Sequence, residues 1–162
     1  MLTWSNFGVY FKRLNAIYMI LLFTFLLCMT LSYIWAGKHS LQVTGDQIIF
    51  FYLDIVMGLL LYLFSGFIKK LLSKKTFKIK NFRLKLIYFS RFFFLNLMLI
   101  FIYGLINIII FSSTANLLFM FFAAYALLLI LLMKPKVEKL SFLVHINNEE
   151  QYFISHPGVS FD

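Results

Sequence analysis

The chain alternates long apolar runs with short polar breaks. Residues 15–35, 47–68, 86–111 and 116–133 are almost wholly apolar. At about 1.5 Å per helical residue, roughly 20 residues cross a hydrocarbon core of about 30 Å. Four membrane-spanning helices are therefore predicted, the fourth just long enough. The breaks are a polar loop over 37–46, a strongly basic stretch over 69–85 and a tight uncharged turn over 112–115. Lys134-Pro135 ends the last run.

Both ends of the chain read differently from the middle. Residues 1–14 are aromatic-rich and finish in Lys12-Arg13-Leu14. Trp4, Phe7, Tyr10 and Phe11 fit a short helix lying in the headgroup layer. The apolar run that follows exceeds the ~7–15 residues of a signal-peptide core, and Tyr33 and Ile34 stand where a cleavage site wants small side chains, so an uncleaved span is expected. Tyr33 and Trp35 suit the outer interface and Tyr18 the inner one. The tail, 134–162, is the polar end. Pro135 suits the first turn of a helix, and Val137, Leu140, Leu143 and Val144 make an apolar stripe at helical spacing. Asn147, with Glu150 three residues on, resembles a capping box opening a second short helix. His156-Pro157-Gly158 closes it.

Composition agrees with a lipid solvent. The chain is 62% hydrophobic and 13% charged, where a soluble domain carries about 25% charge. Charge position then sets orientation. The N-terminal segment, the 69–85 stretch and the tail hold thirteen Lys and Arg, the two other loops only Lys38, and Arg91 lies inside the third run. Such asymmetry keeps the basic segments in the cytoplasm. The expected fold is an all-α integral membrane bundle of four transmembrane helices, N-in and C-in, with short interfacial helices at both ends. The net charge of +9 beside the spans suggests anionic headgroups, at about 1 kcal/mol per basic residue near the surface; nucleic acid is not an expected partner. Lys69, Lys70, Lys74, Lys75, Arg83, Lys85 and Arg91 are the candidate contacts to a lipid or partner phosphate.

Inside the runs, the polar residues are few. Asp54 in the second is a functional hypothesis by default. Asn96, Tyr103, Gly104 and Asn107 in the third share one helix face. From the two chain directions, Asp54 and Asn107 reach similar depth and are expected to meet. Gly58 and Ser65 continue the Asp54 face, and Ala123, Ala124 and Ala126 offer the fourth run a close-packing patch. Two readings follow for Asp54, Asn96, Tyr103 and Asn107: a structural polar seam, or a proton or cation path. Arg91 lies about 140° around its helix from Asn96 at 100° per residue and is expected to snorkel to the inner interface.

Several stretches resemble a family of small bacterial four-span inner-membrane proteins with no assigned activity. They are Tyr10-Phe11-Lys12-Arg13-Leu14 with Ile17-Tyr18, the basic stretch leading to Arg91, Thr114 with Asn116-Leu117-Leu118-Phe119, and Lys134-Pro135 with Glu138-Lys139. The resemblance implies the bacterial inner membrane. The family tends to place a Glu five residues after the Arg of its third span. Here that position is Asn96, so no role of that acid carries over.

The sequence also argues against several chemistries. His39, His145 and His156 all lie outside the runs, against a bis-His haem bundle. The single Cys28 argues against dithiol chemistry. No Gly-rich phosphate loop, HExxH or pair of intramembrane carboxylates occurs, and one Arg makes no voltage sensor. Four-span multidrug transporters carry their acid in the first span, which here has none. No catalytic residue, metal or cofactor is expected. The expected function is that of a small non-enzymatic accessory or scaffold subunit, binding membrane lipids and a protein partner or further copies of itself. The alternative is a small oligomeric transporter or lipid/ion-handling protein that uses Asp54.

Overall fold

In the computed structural model, residues 6–36 and 47–161 are described. Trp4, expected at the interface, and the 37–46 loop with Lys38 and His39 lie outside them. The described chain forms six helices: α1 (Phe7–Ala36), α2 (Gln47–Phe77), α3 (Phe82–Thr114), α4 (Leu117–Leu132), α5 (Val137–Val144) and α6 (Asn148–Ser155). Apart from one isolated bridge between Asn6 and Ser160, the described residues hold no β-structure. α1, α2 and α3 are each long and apolar enough to cross a bilayer, and a fourth crossing is reached if α4 and α5 count as one broken span. The protein is thus an all-helical, multi-pass membrane protein.

Contacts divide the chain into two compact units. The first comprises Met1–Met19, Gly66–Leu95 and Lys134–Asp162; the second, Ile20–Ser65 and Asn96–Met133. Charge divides the same way. The first unit holds fourteen of the fifteen Lys and Arg, and the second only Lys38.

The second unit turns several of its polar side chains inward, and the exposed Thr24, Thr30 and Ser113 bond back to their own helices. Ser32, Asp54, Asn96 and Asn107 are buried, while Phe23, Leu27, Leu31, Leu59, Leu60, Ile109 and Phe121 are exposed. That inversion suits a solvent as apolar as the side chains facing it. α4 buries Phe119, Ala123, Ala126 and Ile130 along one stripe; Ala124, expected in the same patch, is exposed. Gly104 of α3 is the tightest point. A Cβ there would run into the Phe25 ring of α1 and lie 2.9 Å from the Ala126 Cβ of α4, so only glycine lets the three helices approach.

The 112–115 turn proves shorter than expected. Ser112, Ser113 and Thr114 form the last turn of α3, donating to the carbonyls of Ile108, Ile109 and Ile110. Hydroxyls bonded back to the helix need no water, so α3 persists to Thr114. Ala115 then takes the left-handed conformation, φ 51°. Asn116 caps α4 by accepting from the Leu118 amide.

The first unit has a conventional apolar interior. Phe7, Tyr10, Leu14 and Tyr18 of α1 are buried at helical spacing, as are Ile68 and Leu72 of α2 and Phe82, Leu86, Phe89 and Phe93 of α3. From Phe7 onward the N-terminal segment belongs to α1, which runs unbroken to Ala36, and Tyr18, expected at the inner interface, turns into the interior. The basic stretch is mostly helix as well. α2 continues to Phe77 and α3 starts at Phe82, leaving residues 78–81 as the connection. Ile68, Leu72 and Thr76 explain this, since they bury one face every fourth residue while Lys69, Lys70, Lys74 and Lys75 stay exposed. A lysine-rich sequence with such a stripe is an amphipathic helix.

The tail forms the two short helices expected. Leu140 and Val144 of α5 are fully buried, and the Asn147–Glu150 capping box opens α6. The start of α1 and the tail meet in this unit. The Gly8 amide donates to the Pro157 carbonyl at 2.9 Å, and the Phe82 ring packs on Phe7, Phe153 and Phe161.

Candidate functional site

The polar seam of the second unit forms where helical spacing places it. Asn107 Nδ2 donates to Asp54 Oδ1 at 2.9 Å, and the Tyr103 hydroxyl donates to Asp54 Oδ2 at 3.3 Å. Eleven residues away along α3, about 16 Å, Asn96 Nδ2 donates to Ser65 Oγ at 2.9 Å and approaches Met133 Sδ at 3.6 Å. A Cβ on Gly58 would sit 3.1 Å from the Tyr103 hydroxyl.

The pairs reveal an antiparallel register. Asp54 meets Asn107, Gly58 meets Tyr103 and Ser65 meets Asn96, so each step up α2 is matched by an equal step down α3. Steps of four and seven keep both rows on one face at 3.6 residues per turn. Among the residues of α2 in this unit whose burial is described, Asp54 is the buried one, so a carboxyl sits at the centre of the docking, with the Phe51 ring against Phe122 of α4.

The seam is not fully satisfied. Asn107 and Asn96 are buried, and the Oδ1 of each lacks a hydrogen-bond partner. Asn107 Nδ2 also reaches the Tyr103 carbonyl at 3.1 Å. A second polar contact, absent from the sequence reading, joins α1 to α3: Ser32 Oγ donates to the Ile108 carbonyl and pairs with Ser112 Oγ. Serines at these positions look like ordinary small residues until the helices are paired.

In the first unit the candidate phosphate contacts separate into two groups. Lys69, Lys70, Lys74, Lys75 and Arg91 are exposed and Arg83 is half-buried. Lys75 lies over the rings of Tyr88 and Phe92, at 6.0 and 5.9 Å from their centroids, which fixes a cation against α3. Lys85 does not belong with them. It is 3% exposed, and its Nζ lies 2.8 Å from Glu150 Oε2 and 3.0 Å from the His145 carbonyl. Placed three residues after Phe82 and one before Leu86, both buried, it points inward and meets the tail.

His145 carries a further feature that spacing does not announce. It closes α5 in the left-handed conformation, φ 50°. Its Nε2 lies 2.8 Å from Ser73 Oγ, and its ring stands edge-on to Phe77. Thr76 donates to the Leu143 carbonyl beside it. These contacts tie the end of α5 to α2.

Among the described residues, no three His, Cys, Asp or Glu side chains gather as a metal site. Comparison of the chain with protein-family models, curated proteins and solved structures finds no match.

Proposed function

We propose that this is a four-span protein of the bacterial inner membrane with both termini in the cytoplasm, as its resemblance to small four-span proteins implies. It acts as a non-enzymatic accessory or scaffold subunit whose cationic unit grips anionic headgroups and, through them or directly, a protein partner. The observation that carries this reading is the partition of charge. One unit displays Lys69, Lys70, Lys74, Lys75 and Arg91 at its surface, while the other has Asp54 as the charged side chain among its described residues. A bilayer accepts the second and holds the first at its cytoplasmic face. The helical segments of the second unit, 20–36, 47–65, 96–114 and 117–132, measure about 24 to 29 Å at about 1.5 Å per residue, close to a hydrocarbon thickness that membranes adjust by thinning.

The test is replacement of Lys69, Lys70, Lys74 and Lys75 together by Gln. Purified in mild detergent, this variant retains less anionic lipid than the parent chain, by roughly fivefold for each residue replaced, from about 1 kcal/mol each. It also loses co-purifying partners. Unchanged lipid and partner retention refutes the reading.

A second reading, a small oligomeric ion-handling protein, is favoured by the unpartnered Asn107 Oδ1 beside Asp54. Ion flux through proteoliposomes that Asp54→Asn abolishes supports it; flux equal to that of empty vesicles refutes it.

A further inference from the structure

The described residues of the second unit include Asp54 and no Lys, Arg or His. Its other titratable side chains there are Cys28 and Tyr33 on α1, Tyr52 and Tyr62 on α2, Tyr103 on α3 and Tyr125 on α4. Tyr103 alone among them is hydrogen-bonded to Asp54. Neutral donors from Tyr103 and Asn107 orient the carboxyl but bring no opposite charge, and an isolated ion in so apolar a setting is costly. The same cluster holds a second surplus acceptor. Asn107 is 0% exposed and its Oδ1 has no donor, while its Nδ2 is divided between Asp54 and the Tyr103 carbonyl. Two carboxyl oxygens, a phenol oxygen and a backbone carbonyl thus gather about Asp54 and the Asn107 amide nitrogen, with no side chain of opposite charge among the described residues of the unit. Gly58 leaves room for the phenol, since a Cβ there would approach the Tyr103 hydroxyl to 3.1 Å.

We infer that Asp54, Tyr103 and Asn107 form a binding site for one monovalent cation, a sodium ion or a proton. A single carboxylate balances a single charge; divalent cations draw on more carboxylates and waters than these residues provide. Half a turn of the Asn107 side-chain amide presents its Oδ1 to the cation beside Asp54. The proposal rests on the ion-handling reading above and is independent of the lipid-gripping one.

The experiment is difference infrared spectroscopy on the full chain in lipid nanodiscs. In one arm, sodium replaces choline at constant pH and ionic strength. In the other, pH is lowered without sodium. A sodium site gives carboxylate bands that shift with sodium; a proton site gives a protonated-carboxyl band that grows on acidification. Either band disappears in Asp54→Asn. Tyr103→Phe keeps the ring and shifts the half-saturation point about fivefold, the loss of about one hydrogen bond. This second variant keeps the test decisive should Asp54→Asn fail to fold. No Asp54 band responding to sodium or to pH, or a response that Tyr103→Phe leaves unmoved, overturns the site. Binding without flux in proteoliposomes upholds the site and removes transport, so the two failures are distinct.

Discussion

Removing the charge of Glu150 tests how the tail is attached. Glu150 has two jobs: its Oε2 accepts from Lys85 Nζ at 2.8 Å and from the Asn147 amide at 2.9 Å, closing the capping box of α6. Its side chain is 8% exposed and that of Lys85 is 3%, so neither charge is well served by water. Breaking one side of a buried pair costs about 3–5 kcal/mol, because the other charge is left without compensation. Glu150→Ala also removes a cap, about 1 kcal/mol more. Glu150→Gln preserves an acceptor for Asn147, and the His145 carbonyl still accepts from Lys85 at 3.0 Å, so its cost falls near the lower end, about 3 kcal/mol. Pairing Lys85→Met with Glu150→Gln removes both charges and restores most of that loss, since apolar replacement of a buried pair is often close to neutral. The assay is thermal unfolding in detergent, with amide exchange read on α6. Lys85→Met and Glu150→Gln each raise exchange in 148–155, and the double variant returns it toward the parent value. Single variants costing under about 1 kcal/mol, or costs that simply add, refute the argument, because a screened surface pair behaves in that way.

Other outcomes follow from the same geometry. Gly104→Ala drives a methyl into Phe25 and Ala126 and lowers stability by about 1–3 kcal/mol, measured by thermal unfolding in detergent. Asn96→Leu removes the bond to Ser65 and an unpaired buried oxygen together, so its net cost is under about 1 kcal/mol by the same measurement. His145→Gly relaxes a left-handed residue but loses the Ser73 and Phe77 contacts. Its signature is faster proteolysis of the tail at little or no cost in global stability.

Much of this fold was legible in the sequence, and the parts that were not have physical reasons. Asp54 and Asn107 were expected to meet because helical spacing and chain direction bring the two residues to similar depth. The same logic put Asn96, Tyr103 and Gly104 on one face. Lys85 was misread as a headgroup contact because it ends a run of cations. Its partner Glu150 lies 65 residues away, and composition does not see a pair so far apart. The loop expected over 69–85 narrowed to 78–81 because the lysines mask the Ile68, Leu72 and Thr76 stripe beneath them. Ser32 and Ser112 carried no signal, since a hydroxyl that bonds a backbone carbonyl is compatible with any apolar helix. The left-handed turn at His145 was likewise invisible: a histidine there looks like a polar tail residue until Ser73 is set beside it.

The account depends most on which side of the membrane the cationic unit occupies. In a Cys28→Ser background, Lys74→Cys places one thiol on the exposed face of α2. An impermeant maleimide applied to intact cells stripped of their outer membrane should leave it unlabelled, and should label it once the inner membrane is opened. Labelling from outside before opening would contradict the orientation and the reading built on it.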